Sequence, residues 1–321
     1  MSDLPATAHA LPASLDFPLP AHRGGEVLRV RASTHEDAVF ERFHRAYDRA
    51  FVLANEKEGR AGFVECLALN HGDAAAALLA RYGPFREWVL VLERDGAVVG
   101  GANLLCHLQA DAAGRALGVD QNLNYVFVDA GHRGHGHLHD LVAAVRAVAR
   151  RSFPDALAGA DAVPDRVFME INDPLRVNDA DYAADTAATG LDQFDRVAIW
   201  ARLGARIIDF PYVQPALSAG QAPAHDLLMA VLGVAADDLD ACLLQRHLAR
   251  FFGISVLKGA DPHGNLEAAK QLRACATDCA SGRHLALLDP LPRLARLRAE
   301  RERTGVDPAR GLRERLRAAD P

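Results

Sequence analysis

The sequence lacks an excess of positive charge: 36 lysines and arginines stand against 42 aspartates and glutamates, for a formal net charge of −6. Without a basic stripe to neutralise phosphates, nucleic acid is not an expected partner. Nor does any apolar run approach the roughly 18 residues needed to cross a bilayer. The opening "MSDLPATAHALPASLDFPLPAHRGGE" has no basic-then-apolar order of the secretory kind. No membrane association is expected, and the expected compartment is the cytoplasm. Cysteine is scarce and odd in number. Cys66, Cys106, Cys242, Cys275 and Cys279 are scattered through the chain and suit reduced thiols better than a disulfide framework. Cys275 and Cys279 would share one helical face in "LEAAKQLRACATDCA". They read there as small packing residues, because only His284 is a nearby third metal ligand.

What is present is apolar substance and periodicity. With 321 residues, 50% of them hydrophobic, the chain can bury one large core, and an ordinary domain with a smaller appendage is expected. Residues 1–26, rich in Ala and Pro, read as a loose extension. "VLRVRA" reads as a first strand. In "STHEDAVFERFHRAYDRAF", Ser33 or Thr34 can cap a helix whose Phe40, Phe43, Tyr47 and Phe51 recur on one face. A further helix is expected in "AGFVECLALN" or "DAAAALLARY". "EWVLVLERDGAVVGGANLLCHL" reads as a hairpin about Asp95-Gly96. "NLNYVFVD" and "RVFMEIND" read as strands, "DRVAIWARLGA" as a helix, "RIIDFPYV" and "HDLLMAVLG" as two more strands. Beyond residue 235 the patterning turns helical.

The most informative stretch is "GHRGHGHLHDL", residues 131–141, between the strand "NYVFVD" and the helical "HDLVAAVRAVARRSF". A strand ending in glycines and opening a helix points unpaired backbone N–H groups, and the positive end of the helix dipole, at one spot. That spot suits an anion. Gly134 and Gly136 carry no Cβ to hold a phosphate off the backbone, and Arg133 adds a fixed charge. A zinc site would need three or four converging ligands, whereas His135, His137 and His139 straddle the turn and the helix, so no metal is expected. The turn lacks the Lys-Ser/Thr of a P-loop, and no acidic strand end completes a dinucleotide fingerprint.

Taken with the preceding hairpin, "VFVDAGHRGHGHLHDLV" resembles motif A of the GNAT N-acetyltransferases, Gln/Arg-x-x-Gly-x-Gly/Ala. Gly134 and Gly136 match the small positions and Arg133 the basic one, while Gly131 departs from the Gln/Arg. The resemblance covers about residues 27–233. It implies a mixed α/β (α+β), mostly antiparallel sheet flanked by helices; the helical extension expected over 234–321 falls outside it. It also implies acetyl-CoA, or another acyl-coenzyme A, as co-substrate. Backbone groups of Arg133, Gly134, His135, Gly136, His137 and Leu138 would hold the pyrophosphate. Tyr125, Val126, Phe127 and Val128 would pair with the pantetheine arm, and "VFMEIN" would splay away from them. "WARLGA" resembles the family's Tyr-x-x-x-Gly-Phe, with Trp200 at the tyrosine and Ala205 at the phenylalanine. An indole cannot release a proton at accessible pH.

The implied activity is transfer of a short acyl group to an amine of a small molecule or protein; the alternative is a coenzyme A-binding module that has lost turnover. An alkyl ammonium is neutral in only about one molecule in 2,500 at pH 7, so transfer needs a base. Glu170, in an apolar strand, is one candidate, although an ion pair with a core arginine accounts for it equally. Tyr182 and Tyr212 are candidate acids. "NEKEG" and Glu65 point weakly to a cationic acceptor, and charged helix ends are more often simply solvated. The apolar faces of the late helices should pack on the main domain or across a homodimer.

Overall fold

In a computed structural model the chain is described at residues 11–51, 57–111, 113–159, 163–216, 220–305 and 310–318. Its first half comprises β1 (Ser14–Pro20), β2 (Val27–Ser33), helices α1 (Ala38–Ala50), α2 (Arg60–Ala68) and α3 (Gly72–Tyr82), then β3 (Phe85–Arg94), β4 (Ala97–Ala110) and β5 (Ala116–Val128). There follow α4 (His137–Arg151), β6 (Asp165–Asn172), α5 (Asp179–Thr189), α6 (Gln193–Arg202), β7 (Arg206–Ile208) and β8 (Leu227–Leu232). The last part holds β9 (Asp238–Asp240), α7 (Ala241–Phe251), α8 (Leu266–Ala280), β10 (His284–Leu288), α9 (Leu291–Thr304) and α10 (Leu312–Arg317).

The strands form one ten-stranded sheet in the order β1-β2-β3-β4-β5-β6-β8-β7-β10-β9. Every neighbouring pair is antiparallel except β5 with β6. The expected class, a mostly antiparallel mixed sheet flanked by helices, is the observed one. The hairpin is also as expected: Arg94 pairs with Ala97, and Asp95 and Gly96 both take positive φ, as a tight primed turn requires.

One sheet face packs on α4 through Leu90, Leu104, Leu123 and Met169 against Leu141, Val145 and Val148. The other face is covered in two places. Helices α1 and α2 bring Phe43, Tyr47 and Phe63 to Val89, Val91 and Phe127. Helix α7 lays Leu244, Leu248 and Phe251 on Phe168, Met229 and Val231. His247 of α7 stacks on Phe168 at 3.8 Å between ring centroids and meets Asn122 Oδ1 at 3.1 Å, fixing that helix to the strands.

Several expectations change. Within the stretch expected to be loose, Ser14–Pro20 forms β1, because Leu15, Phe17 and Leu19 alternate and Pro18 and Pro20 are tolerated on a sheet edge. The cap of α1 is Asp37, whose Oδ1 accepts from Val39 and Phe40 N–H, while Ser33 Oγ accepts from His35 N–H and donates to Asp37. Both candidate segments after α1 are helical. Finally, Cys242 and Cys279 form a disulfide, so the reading of all five cysteines as reduced thiols is corrected. Packing of α7 on α8 brings these two Cα atoms to 4.5 Å across 37 residues of sequence, leaving Cys66, Cys106 and Cys275 as buried free thiols.

Beyond residue 234 the chain also supplies strands: β10 pairs with β7 and β9 with β10 at the far edge of the sheet. Among the described residues no helix is long and apolar enough to cross a membrane.

Candidate active site

The site begins where two strands part. β5 and β6 pair in parallel from Val119↔Asp165 to Leu123↔Met169, and there the pairing ends. β6 continues beside β8, while β5 continues beside β4 from Tyr125 to Val128. At the parting point Leu104 faces Leu123 and Asn103 faces Tyr125, so Asn124 is the extra residue of a β-bulge. A bulge bends its strand and increases local twist, which opens the edge of β5 that faces β6. A cavity of about 910 Å³ occupies the opening.

At one end of the cavity lies the glycine turn. Asp129 caps the 3-10 turn Ala130–His132 and accepts from Gly131 N–H, so that amide is already occupied. The amides from Arg133 to Leu138 meet no protein acceptor among the described residues. Gly136, at φ +90°, is the left-handed N-cap of α4, a conformation costly for any residue with a Cβ. Arg133 bridges the turn to α5, its Nε donating to the Val128 carbonyl at 3.4 Å and its Nη1 to that of Thr189. His137 is buried, paired through Nδ1 with Asp140 Oδ2 at 3.0 Å, and its Nε2 has no hydrogen-bond partner among the described residues. Tyr125 through Val128, Arg133, Gly134, Gly136, His137 and Leu138 all line the cavity; His135 is exposed and does not. Among the described residues no group of three or more His, Cys, Asp or Glu side chains could hold a metal ion.

Toward the middle, Glu170 of β6 faces the cavity. The Tyr212 hydroxyl donates to Oε1 and Gln214 Nε2 donates to Oε2 at 3.0 Å. Desolvation outweighs these two donors and pushes the carboxyl up to about 7. No arginine pairs with it among the described residues. Tyr212 is buried, and its phenol is driven well above its ordinary value, first by burial and then by the Glu170 charge. Tyr182, on α5, donates to Asp192 Oδ2 at 2.5 Å beneath the Arg301 guanidinium and does not line the cavity. Trp200 does line it, nearly buried at 7% exposure.

The remaining wall comes from distant parts of the chain. Phe51 and Phe63 enter from the first helices, Glu58 from the connection between α1 and α2, and Phe251, Ser255 and Val256 from the end of α7 and the π-helical turn Phe252–Val256. Of "NEKEG", Asn55 and Glu56 fall outside the described residues; Glu58 faces Lys258 Nζ at 3.6 Å and Glu65 faces it at 3.5 Å. Gln214, Ser255 and the His137–Asp140 pair had no signal in the sequence, because each acquires its role from a partner or a wall supplied by the fold.

No family model matches the chain, and no curated protein matches it. Among solved structures it is similar to Arabidopsis thaliana Naa60 in complex with acetyl-CoA, at 13% identity over 65% of this chain and 99% of that one, with a TM-score of 0.36. It is similar to Arabidopsis thaliana Naa50 in complex with a bisubstrate analogue, at 11% identity over 64% and 99%, with a TM-score of 0.34. It is likewise similar to the ribosomal-protein-S18-alanine N-acetyltransferase of Escherichia coli, at 15% identity over 65% and 98%, with a TM-score of 0.33. These are likenesses of fold, at TM-scores that carry nothing about acceptor or catalyst.

Proposed function

We propose that this chain is an acyl-coenzyme A-dependent N-acyltransferase of the GNAT type, transferring acetyl or another short acyl group to an amine. One observation carries the reading: a single cavity joins unsatisfied helix-start amides, an open strand edge and a carboxyl raised toward neutrality. The amides of residues 133–138 suit the pyrophosphate of the co-substrate, supported by the α4 dipole and Arg133. The open edge of β5 after Leu123 suits the amide groups of the pantetheine arm, with Ile199 and Trp200 of α6 also in the wall. The thioester then falls near the bulge, where a backbone N–H of β5 can bond the developing oxyanion.

Glu170 is the proposed base. The acceptor arrives as an ammonium and gives one proton to the carboxylate. Its freed lone pair attacks the thioester carbon, the C–S bond breaks, the sulfur leaves as thiolate, and the nitrogen sheds its second proton to water as the amide forms. A carboxyl at about 7 is suited to this exchange near neutral pH. Tyr212 and Gln214 orient it. Tyr212 is too weakly acidic where it sits to serve as the acid, and Trp200 has no proton to give, so the thiolate is protonated by water or by Glu170 itself.

The test is release of free coenzyme A thiol from acetyl-CoA, with and without a panel of amines. Amine-dependent release is expected. Tight acetyl-CoA binding with no release for any amine would favour the alternative, a coenzyme A-binding module without turnover.

A further inference from the structure

We propose that the cavity contains a second acceptor subsite, centred on Glu87 and completed by Ser255 of the C-terminal extension, which takes a cationic group remote from the reacting amine. The inference rests on the acyl-transfer reading and narrows its acceptor to a molecule with two amino groups.

Glu87 of β3 is fully buried, and its Oε2 accepts no hydrogen bond within 3.5 Å among the described residues. Ser255 Oγ donates to Oε1. No lysine, arginine or histidine pairs with this carboxyl among the described residues. Burial accordingly pushes it up to about 7, against the hydrogen bond from Ser255 and the longer polar approaches of the Asn103 and Asn124 amides, none of which brings a positive charge. An uncompensated carboxyl in such a place is costly unless something answers it.

The cavity is where an answer can come from. Ser255, Asn103 and Asn124 stand beside Glu87 and line the cavity, so the carboxyl lies directly behind the wall. These neighbours offer oxygen acceptors. Asn122 donates to Asn124 Oδ1 at 2.8 Å, and Asn124 donates to Asn103 Oδ1 at 3.0 Å, so the two carbonyl oxygens are held in fixed positions. The same wall carries Glu58, and Glu58 and Glu65 share the single cation of Lys258, leaving the corner with surplus negative charge. An ammonium accepted by Ser255 Oγ and Asn103 Oδ1, on the β3–β4 side of the bulge, would sit against the Glu87 charge.

The position relative to Glu170 sets the acceptor's length. Glu87 lies in one row with Leu105, Asn122 and Phe168 across β3, β4, β5 and β6, and Glu170 follows Phe168 by two residues on the same face. Three strand spacings across and two residues along separate the two backbones by about 16 Å, and with each ammonium held a few ångström inward of its carboxyl this matches an alkane diamine of about eight to ten carbons.

The experiment is calorimetric titration of the eight-carbon alkane diamine, and separately of the eight-carbon alkylamine, into the full chain saturated with coenzyme A. The diamine is expected to bind at least tenfold more tightly, and Glu87→Gln to bring the two within about twofold while leaving coenzyme A affinity unchanged. At pH 6.5 the diamine should also release protons, seen as a dependence of the heat on the buffer, and Glu87→Gln should release fewer. Equal affinity for the two amines in the parent, or a preference that survives Glu87→Gln, overturns the proposal. If Glu87→Gln does not fold, Ser255→Ala replaces it and should lose severalfold of the preference; an undiminished preference counts against the subsite. Failure of coenzyme A itself to bind would sink the acyl-transfer reading, and the same titrations without it still decide whether the corner prefers a second ammonium.

Discussion

Glu170 concentrates the chemistry in one side chain, and its behaviour follows from where β6 places it. Because burial raises its carboxyl to about 7, the group is protonated and useless as a base below that pH and ionised above it. Amine-dependent transfer by the parent should therefore rise with pH through about 7. Glu170→Gln should remove that limb and lower the rate at pH 7 by roughly 10² to 10⁴, the usual range for loss of a general base. The deficit should shrink as pH approaches the amine's own pKa, where the nucleophile is already neutral. Parental rates in the variant at pH 7 would make Glu170 structural. The residue was legible in the sequence as a carboxylate in an apolar strand, but its partners were not. Tyr212 and Gln214 lie more than forty positions away, and only the turn after β7 brings them to it.

At the scale of elements, local pattern carried most of the outcome. Alternation and turn chemistry located β3, β4, β5 and β6, and the glycines of "GHRGHG" located the start of α4. What local pattern could not reach was pairing over distance. The parting of β5 from β6 depends on register, and the bulge at Asn124 exists only because β4 lies alongside. The cysteines show the same limit: Cys275 and Cys279 share a helix, yet Cys279 bonds Cys242 on α7, which no helical period could reveal. Thiol titration of the denatured, unreduced chain should count three free thiols, and reduction should lower stability by at most about 4 kcal/mol for a loop of this separation. A count of five would refute the pairing.

At the scale of the whole molecule, the C-terminal extension is part of the sheet's packing. α7 buries Phe168, Met229 and Val231, the backbone N–H of Leu312 donates to the Asp173 carboxylate at 2.9 Å, and Arg313 pairs with Asp209 at 3.1 Å. Deleting residue 236 onward uncovers an apolar sheet face and should give aggregating protein by light scattering. A truncated chain as soluble and stable as the parent would show the extension to be dispensable. The amphipathic late helices announced that they needed a partner; which surface they cover follows from long-range packing alone. The central claim is that acyl-coenzyme A lies in the parted strands with its pyrophosphate on the turn before α4. Calorimetric titration of acetyl-CoA into the full chain and into Gly136→Val tests it directly. One molecule should bind per parent chain and none to the variant, with the variant's circular dichroism unchanged. No binding by the parent, or undiminished binding by a folded Gly136→Val, would contradict it.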